Sequence, residues 1–72
     1  MLPVVSGDEC VSALRRAGFR EVRRARDNHT IMRRDEPFAQ VSVPDHKVLD
    51  RGTLRAIIRQ AGLSVDEFVA LL

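Results

Sequence analysis

The chain is poor in cysteine: Cys10 is its one thiol among 72 residues. A lone cysteine cannot form a disulfide within the chain, and domains this small from oxidising compartments usually carry several disulfides. The sequence therefore excludes a disulfide-stapled scaffold. We expect a cytoplasmic protein in which Cys10 is a small core residue.

Long apolar runs are also missing. No eighteen apolar residues follow one another, and the opening residues 1–5 carry no basic leader. A membrane-spanning helix needs about twenty apolar residues, and a signal peptide needs a basic segment before its apolar region. We expect neither secretion nor a membrane anchor.

The motifs of nucleotide, metal and serine-hydrolase sites are absent as well. The four glycines are scattered, which excludes a phosphate-binding loop and a dinucleotide fingerprint. Cys10, His29 and His46 lack the spacing of zinc ligands, and no serine lies in a nucleophile elbow. We expect no metal and no cofactor. His29 and His46 remain as the only side chains that titrate near neutral pH without a perturbing environment.

Charge is abundant but unevenly distributed. The net charge is only +2, yet residues 15–34 contain eight arginines against Glu21 and Asp27. The planar guanidinium suits phosphate, so this stretch predicts a surface for a polyanion. A solvated basic face without a partner is the alternative.

Local signals predict an initial helix over about residues 7–17. Ser6 and Glu9 form a capping box, apolar residues follow at helical spacing, and Gly18 supplies a residue that ends such a helix. After it the helical period disappears.

Three short strands fit the next segment, at about residues 20–26, 29–34 and 39–43. The third alternates most clearly, because Gln40 and Ser42 separate three apolar residues, whereas the first alternates poorly. The turns between these strands are short, which makes neighbouring strands antiparallel.

A second helix opens at Gly52-Thr53 and ends at Gly62, and a capping box at residues 64–67 starts a last short helix. The expected fold class is α+β: a single domain over residues 1–72 in the order α-β-β-β-α with a short C-terminal helix. Two helices cover one face of a three-stranded antiparallel sheet, and the other face stays open to solvent.

His29 lies at the turn into the second strand, between Arg26 and Arg33. A histidine among arginines can transfer a proton at an RNA phosphodiester while guanidinium groups stabilise the transition-state charge. The alternative is a turn histidine on a basic surface.

Two further features lie after the third strand. His46 either lines the same surface as His29 or holds the connection by bonding to backbone. Thr53 lies at the start of the second helix, where free amides suit a phosphate and Lys47 is near in sequence, although an ordinary helix cap explains the same residues.

Nearly the whole chain resembles the HicA toxin family. The likeness rests on Ala-Gly-Phe at 17–19, a central histidine turn, Val-Pro-Asp-His at 43–46 and, through the second helix, the segment 50–63 with its Gly-Thr-Leu and Ile-x-x-Gln-Ala-Gly pattern. The resemblance implies a small mRNA interferase with a fold like a double-stranded-RNA-binding domain. It also implies a toxin neutralised by a HicB-type antitoxin.

The same resemblance implies that His29 is the catalytic residue. Family members typically carry Gly-Ser-His at this turn, whereas Asp27, Asn28 and His29 stand here. Asn28 tolerates left-handed backbone, but Asp27 adds a negative charge where phosphate approaches. Asp27 either stabilises the imidazolium or repels the RNA, and we expect repulsion because the turn at Asn28 separates the two side chains.

Together these arguments predict a metal-independent endoribonuclease with His29 as general base or acid. Two alternatives stay open: an RNA-binding module of the same fold that does not cleave, and a protein-interaction domain. The expected RNA contacts are Arg24, Arg26, Asn28, Arg33, Arg34, His46, Lys47 and Thr53.

Overall fold

The computed structural model describes residues 2–25 and 27–72 and confirms the predicted α+β order. The elements are α1 (Gly7–Arg16), β1 (Arg20–Arg24), β2 (His29–Asp35), β3 (Phe38–Pro44), α2 (Arg51–Gln60) and α3 (Val65–Ala70). No helix of the described ranges has the length and apolar character needed to cross a membrane.

The strands form one antiparallel sheet in the order β1-β2-β3. The side chains of Thr30 and Met32 in β2, and of alternate residues in β3, are buried on the side of the helices. The other side of the sheet is the open face, as the alternation in the third strand predicted. It carries Arg20 and Arg23 from β1, His29, Ile31, Arg33 and Asp35 from β2, and Phe38, Gln40 and Ser42 from β3.

The poor alternation of the first strand has a physical cause. The β1–β2 register shifts between Glu21 and Arg23, which leaves Val22 as the extra residue of a β-bulge. The bulge sets Arg23 opposite Ile31 and therefore turns Arg23 to the open face. In a regular strand Arg23 would lie on the helix side.

Capping boxes determine where α1 and α3 begin. Ser6 with Glu9, and Ser64 with Glu67, each form the predicted reciprocal capping box. Gly18 and Gly62, which come directly after the C-cap residues of α1 and α2, have φ of 96° and 76°, a conformation in which glycine ends a helix without strain.

The prediction that Gly52-Thr53 opens the second helix is wrong. The N-cap is Asp50, whose carboxylate accepts from the backbone N–H of Thr53, and the helix begins at Arg51. Aspartate caps a helix as well as serine does. Asp50, two residues before Gly52, therefore determines where the helix begins, and the Gly-Thr pair does not.

The core lies between the two helices and the sheet. Its largest fully buried side chains include Leu14 from α1, Met32 from β2, Leu54 and Ile58 from α2 and Phe68 from α3. Cys10 is fully buried among them, as predicted, and burial raises the pKa of its thiol to about 12. The open face contributes nothing to this core and stays available for a partner.

Candidate active site

The structure places His29 at the start of β2, on the open face, with its side chain about one-third exposed. Its backbone is held from two sides. The N–H of Ala25 donates to the carbonyl of His29 (2.7 Å), and the N–H of Asp45 donates to the carbonyl of Asn28 (2.9 Å). Asn28 has φ of 61°, so it takes the left-handed conformation that the turn requires.

Among the described residues, the side chains of Ser42 and Asp27 make the polar contacts of the imidazole. Nδ1 of His29 shares a hydrogen bond with the hydroxyl of Ser42, at 2.9 Å. Nε2 lies 4.0 Å from a carboxylate oxygen of Asp27, beyond hydrogen-bond length but within reach of a charge interaction. The expectation that the turn separates Asp27 from His29 is therefore wrong: the left-handed Asn28 folds the two side chains to the same side.

Among the strand residues, three arginines share the open face with His29. Arg33 lies two alternate positions further along β2 and donates from Nε to the side-chain oxygen of Gln40 (3.0 Å), which orients its guanidinium. Arg20 pairs in register with Arg33 and donates to Asp35 at 2.7 Å. Arg23 reaches this face through the bulge. With one carboxylate, Asp35, among them, the strand residues give the open face an excess of positive charge.

Arg34 lies on the opposite side of the sheet. Its guanidinium donates to the carbonyl oxygens of Pro37 (2.9 Å) and Ala61 (3.1 Å) and stacks over the ring of Phe19, 4.7 Å from the centroid. Arg34 thus gives a hydrogen-bond donor to the carbonyl oxygen at the C-terminal end of α2, which lacks one within the helix. The same side chain links the β2–β3 turn to α2. We leave Arg34 out of the site for this reason.

Two predicted contacts of the basic stretch remain, Arg24 and Arg26. Arg24 pairs in register with Thr30, whose side chain is buried on the helix side, and lies 3.6 Å from the carboxylate of Asp45. It belongs to the same end of the sheet as His29 but not to the open face. The predicted contact at Arg26 lies outside the described residues.

The loop that carries His46 and Lys47 follows Pro44, the residue paired with His29 in the sheet. Both side chains are exposed. The carbonyl oxygen of His46 accepts from the N–H of Gly7 at 2.8 Å, so the start of α1 fixes this loop. The structure thereby brings His46 and Lys47 to the end of the sheet where His29 lies.

Thr53 lies in the first turn of α2 and is bonded to the N-cap, Asp50. Its hydroxyl and its backbone N–H both donate to the carboxylate of Asp50, at 2.5 and 3.2 Å, and these bonds lower the pKa of the Asp50 carboxyl. The carboxylate of the N-cap Asp50 already accepts from the first turn of α2, which disfavours a phosphate there. For this reason we leave Thr53 and the predicted phosphate position out of the site.

Sequence reasoning did not single out Ser42, Arg20 or Arg23. For Ser42 a signal was available, since alternation along the third strand put it on the solvent side. Its contact with His29 also needs the β2–β3 register, which propensities do not supply. The bulge that turns Arg23 outward has no sequence signature of that kind.

The site is a surface rather than a pocket. A cavity of about 330 Å³ lies elsewhere, lined by Asp8, Glu9, Ser12, Arg16 and Leu72, and shares no residue with the open face. Within residues 2–25 and 27–72, no three His, Cys, Asp or Glu side chains are grouped so that they could hold a metal ion. An open, basic sheet face suits an extended anionic polymer better than a small molecule.

The family model described as the HicA toxin of bacterial toxin-antitoxin systems matches residues 7–63, from the start of α1 past the end of α2. The chain belongs to the HicA toxin family. A comparison with curated proteins gave no match. The matched segment includes His29, Ser42 and the loop with His46.

Proposed function

We propose that this HicA family toxin is an mRNA interferase that cleaves RNA with His29 as its proton-transfer group. The observation that carries the proposal is the position of His29: its imidazole lies on the open face, held at Nδ1 by Ser42, on the same face as Arg20, Arg23 and Arg33. A held imidazole beside guanidinium groups is suited to acid–base chemistry on a phosphodiester.

The chemistry needs two proton transfers. The 2′-hydroxyl of a ribose loses its proton as its oxygen attacks the adjacent phosphorus, the bond to the 5′-oxygen breaks, that oxygen gains a proton, and a 2′,3′-cyclic phosphate results. His29 performs one of the two transfers, by taking the proton from the 2′-hydroxyl or by giving one to the leaving oxygen, and solvent water performs the other. Guanidinium groups stabilise the negative charge that grows on the phosphoryl oxygens in the transition state.

The proposed RNA path runs from the His29 end of the sheet across the open face. Asn28 shapes the turn at that end, His46 and Lys47 project from the adjoining loop, and Arg33 lies further along β2. Arg24 is at the same end on the helix side, and Arg26 stays a predicted contact. Contacts of this kind bind the backbone of RNA and carry little sequence information.

We also propose that the antitoxin partner is of the HicB type and that it binds over the open face. The excess of arginine around His29 suits an acidic protein surface as well as RNA, and the exposed Phe38 adds an apolar contact on the same face. A partner bound there keeps RNA from His29 by occupying the same surface.

A His29→Ala substitution tests the catalytic role. We expect loss of growth arrest on induction and loss of RNA cleavage in vitro, with an unchanged thermal unfolding temperature because His29 fills no core position. His46→Ala is the matched control: it weakens RNA binding but leaves the cleavage rate at saturating RNA within about twofold. A folded His29→Ala protein with full toxicity contradicts the proposal.

Cleavage is expected to survive EDTA, and inhibition by EDTA would require a metal mechanism.

A binding module that does not cleave is the second candidate, and Asp27 favours it. Its carboxylate, 4.0 Å from Nε2, lies where a scissile phosphate has to approach. If RNA is bound but neither wild type nor Asp27→Gly cleaves it, the binding module is the better description.

A further inference from the structure

Ser42 has a relation to His29 that its neighbours on the open face do not share. In the β2–β3 register Ser42 lies opposite Ile31, and His29 lies opposite Pro44, so the two side chains meet diagonally across neighbouring strands. Within residues 2–25 and 27–72, the hydroxyl of Ser42 is the group that hydrogen-bonds the ring of His29.

The backbone alone does not fix the reactive nitrogen. The bonds from Ala25 and Asp45 hold the main chain at residues 28 and 29, but a side chain on an exposed sheet face keeps its rotations about χ1 and χ2. The bond from Nδ1 to Ser42 at 2.9 Å restricts both rotations. A hydroxyl can accept from a protonated Nδ1 and donate to an unprotonated one, so the contact survives a change in the protonation of the ring.

Asp27 is the other candidate for orienting the ring, and its distance argues against it. At 4.0 Å the carboxylate is too far from Nε2 for a hydrogen bond, and its side chain is 72% exposed. An exposed charge pair at that distance sets no ring orientation.

We propose that Ser42 is a positioning residue, whose hydroxyl engages Nδ1 of His29 so that Nε2 is the atom that exchanges a proton with RNA. The inference rests on the proposed function of His29. Ser42 touches neither the substrate nor the reacting atoms in this scheme, and it acts through the imidazole.

The first test reads the ring directly, without RNA. In ¹⁵N-labelled protein, the Nδ1 shift of His29 reports the hydrogen bond at that nitrogen in either tautomer, and His46 is the internal control. We expect the Nδ1 shift of His29 to differ from that of His46 in wild type, to move toward it in Ser42→Ala, and to recover in Ser42→Thr, which keeps the hydroxyl and suits a strand. His46 is expected to be unchanged throughout. Identical His29 shifts in wild type and Ser42→Ala overturn the proposal.

The second test is cleavage kinetics. We expect Ser42→Ala to lower kcat about three- to tenfold, the equivalent of one ordinary hydrogen bond, with KM within about twofold. Ser42→Thr restores kcat. Ser12→Ala, the same change on the exposed side of α1, leaves both constants as in wild type. A Ser42→Ala enzyme with wild-type kcat, or a Ser42→Thr enzyme as slow as Ser42→Ala, also overturns the proposal.

The two proposals fail in different ways. If His29→Ala cleaves like wild type, the proposed function fails and the catalytic meaning of Ser42 fails with it. If His29→Ala is inactive while Ser42→Ala leaves the ring shifts and kcat unchanged, the role of Ser42 alone fails.

Discussion

Arg33 and Arg34 are neighbours in the chain and lie on opposite faces of the same strand. Arg33 is on the open face with His29 and bonds to Gln40, whereas Arg34 bonds to backbone at Pro37 and Ala61 and stacks on Phe19. Successive residues of a strand alternate between faces, so one arginine is available to RNA and the other is part of the fold.

The two arginines are therefore expected to separate RNA binding from stability. Arg33→Ala lowers the slope of log affinity against log salt by about one and changes the free energy of unfolding by less than about 0.5 kcal/mol. Arg34→Ala lowers the free energy of unfolding by about 1–3 kcal/mol, because two carbonyls lose a charged donor and Phe19 loses a cation. Its salt slope stays as in wild type. Salt titrations and urea unfolding measure both quantities, and equal effects of the two variants would contradict the assignment of faces.

The sequence predicts best those elements whose boundaries are set by residues close together in the chain. The capping boxes at Ser6 and Ser64 join residues three apart, so composition and spacing define them without knowledge of the fold. The start of α2 was missed because Asp50 caps alone, with no glutamate three residues on to mark it.

The site was predicted less completely, because it is assembled across strands. The turn and the family resemblance both point to His29 as a candidate, but its contact with Ser42 depends on the β2–β3 register. Arg33 and Arg34 lie on opposite faces because side chains alternate along a strand. This alternation can be counted in the sequence from the first residue of the second strand. The outward turn of Arg23 depends on a bulge, which the sequence shows only as a break in the alternation of the first strand.

Asp27→Gly tests the charge beside the imidazole. The carboxylate is 4.0 Å from Nε2, too long to orient the ring, so its main effect is to repel RNA phosphate. We expect Asp27→Gly to tighten RNA binding and to speed cleavage. Asp27→Asn, which removes the charge and keeps the size, is expected to reproduce most of the gain. Slower cleavage at unchanged affinity in both variants would show that the carboxylate assists His29 instead.

The cap at Asp50 predicts a dependence of stability on acid. Because its bonds to Thr53 lower the pKa of the folded carboxyl, the stabilisation is complete above the unfolded value of about 3.9 and is lost as the pH falls through the lower folded value. At pH 7, Asp50→Ala is expected to unfold at a lower urea concentration than wild type. The difference between the two unfolding midpoints is expected to narrow below about pH 4. Asp50→Asn cannot titrate, so its difference from Asp50→Ala stays constant with pH. A gap between wild type and Asp50→Ala that is as large in acid as at pH 7 contradicts the role of the charged cap.

Gly7 is the point where α1 meets the loop beside His29. It is buried, its N–H donates to the carbonyl of His46, and a Cβ placed on it overlaps the carbonyl oxygen of Pro44. Pro44 O is a backbone atom of a paired strand, so it cannot move aside as a flexible side chain does. We expect Gly7→Ala to lower the free energy of unfolding by about 1–3 kcal/mol and to weaken RNA binding by displacing the loop with His46.

Gly52→Ala is the matched control, because Gly52 lies in the first turn of α2 and the nearest contact of an added Cβ there is an ordinary 3.4 Å to the carboxylate of Asp50. Alanine in a helix is favoured over glycine, so Gly52→Ala is expected to match wild type or to exceed it by about 0.5–1 kcal/mol. Thermal unfolding of the two variants and RNA affinity measured well below their midpoints give the comparison. If Gly7→Ala were as stable as Gly52→Ala, the close approach between α1 and Pro44 would not be what holds this loop, and the position of His46 beside the His29 end of the sheet would need another cause.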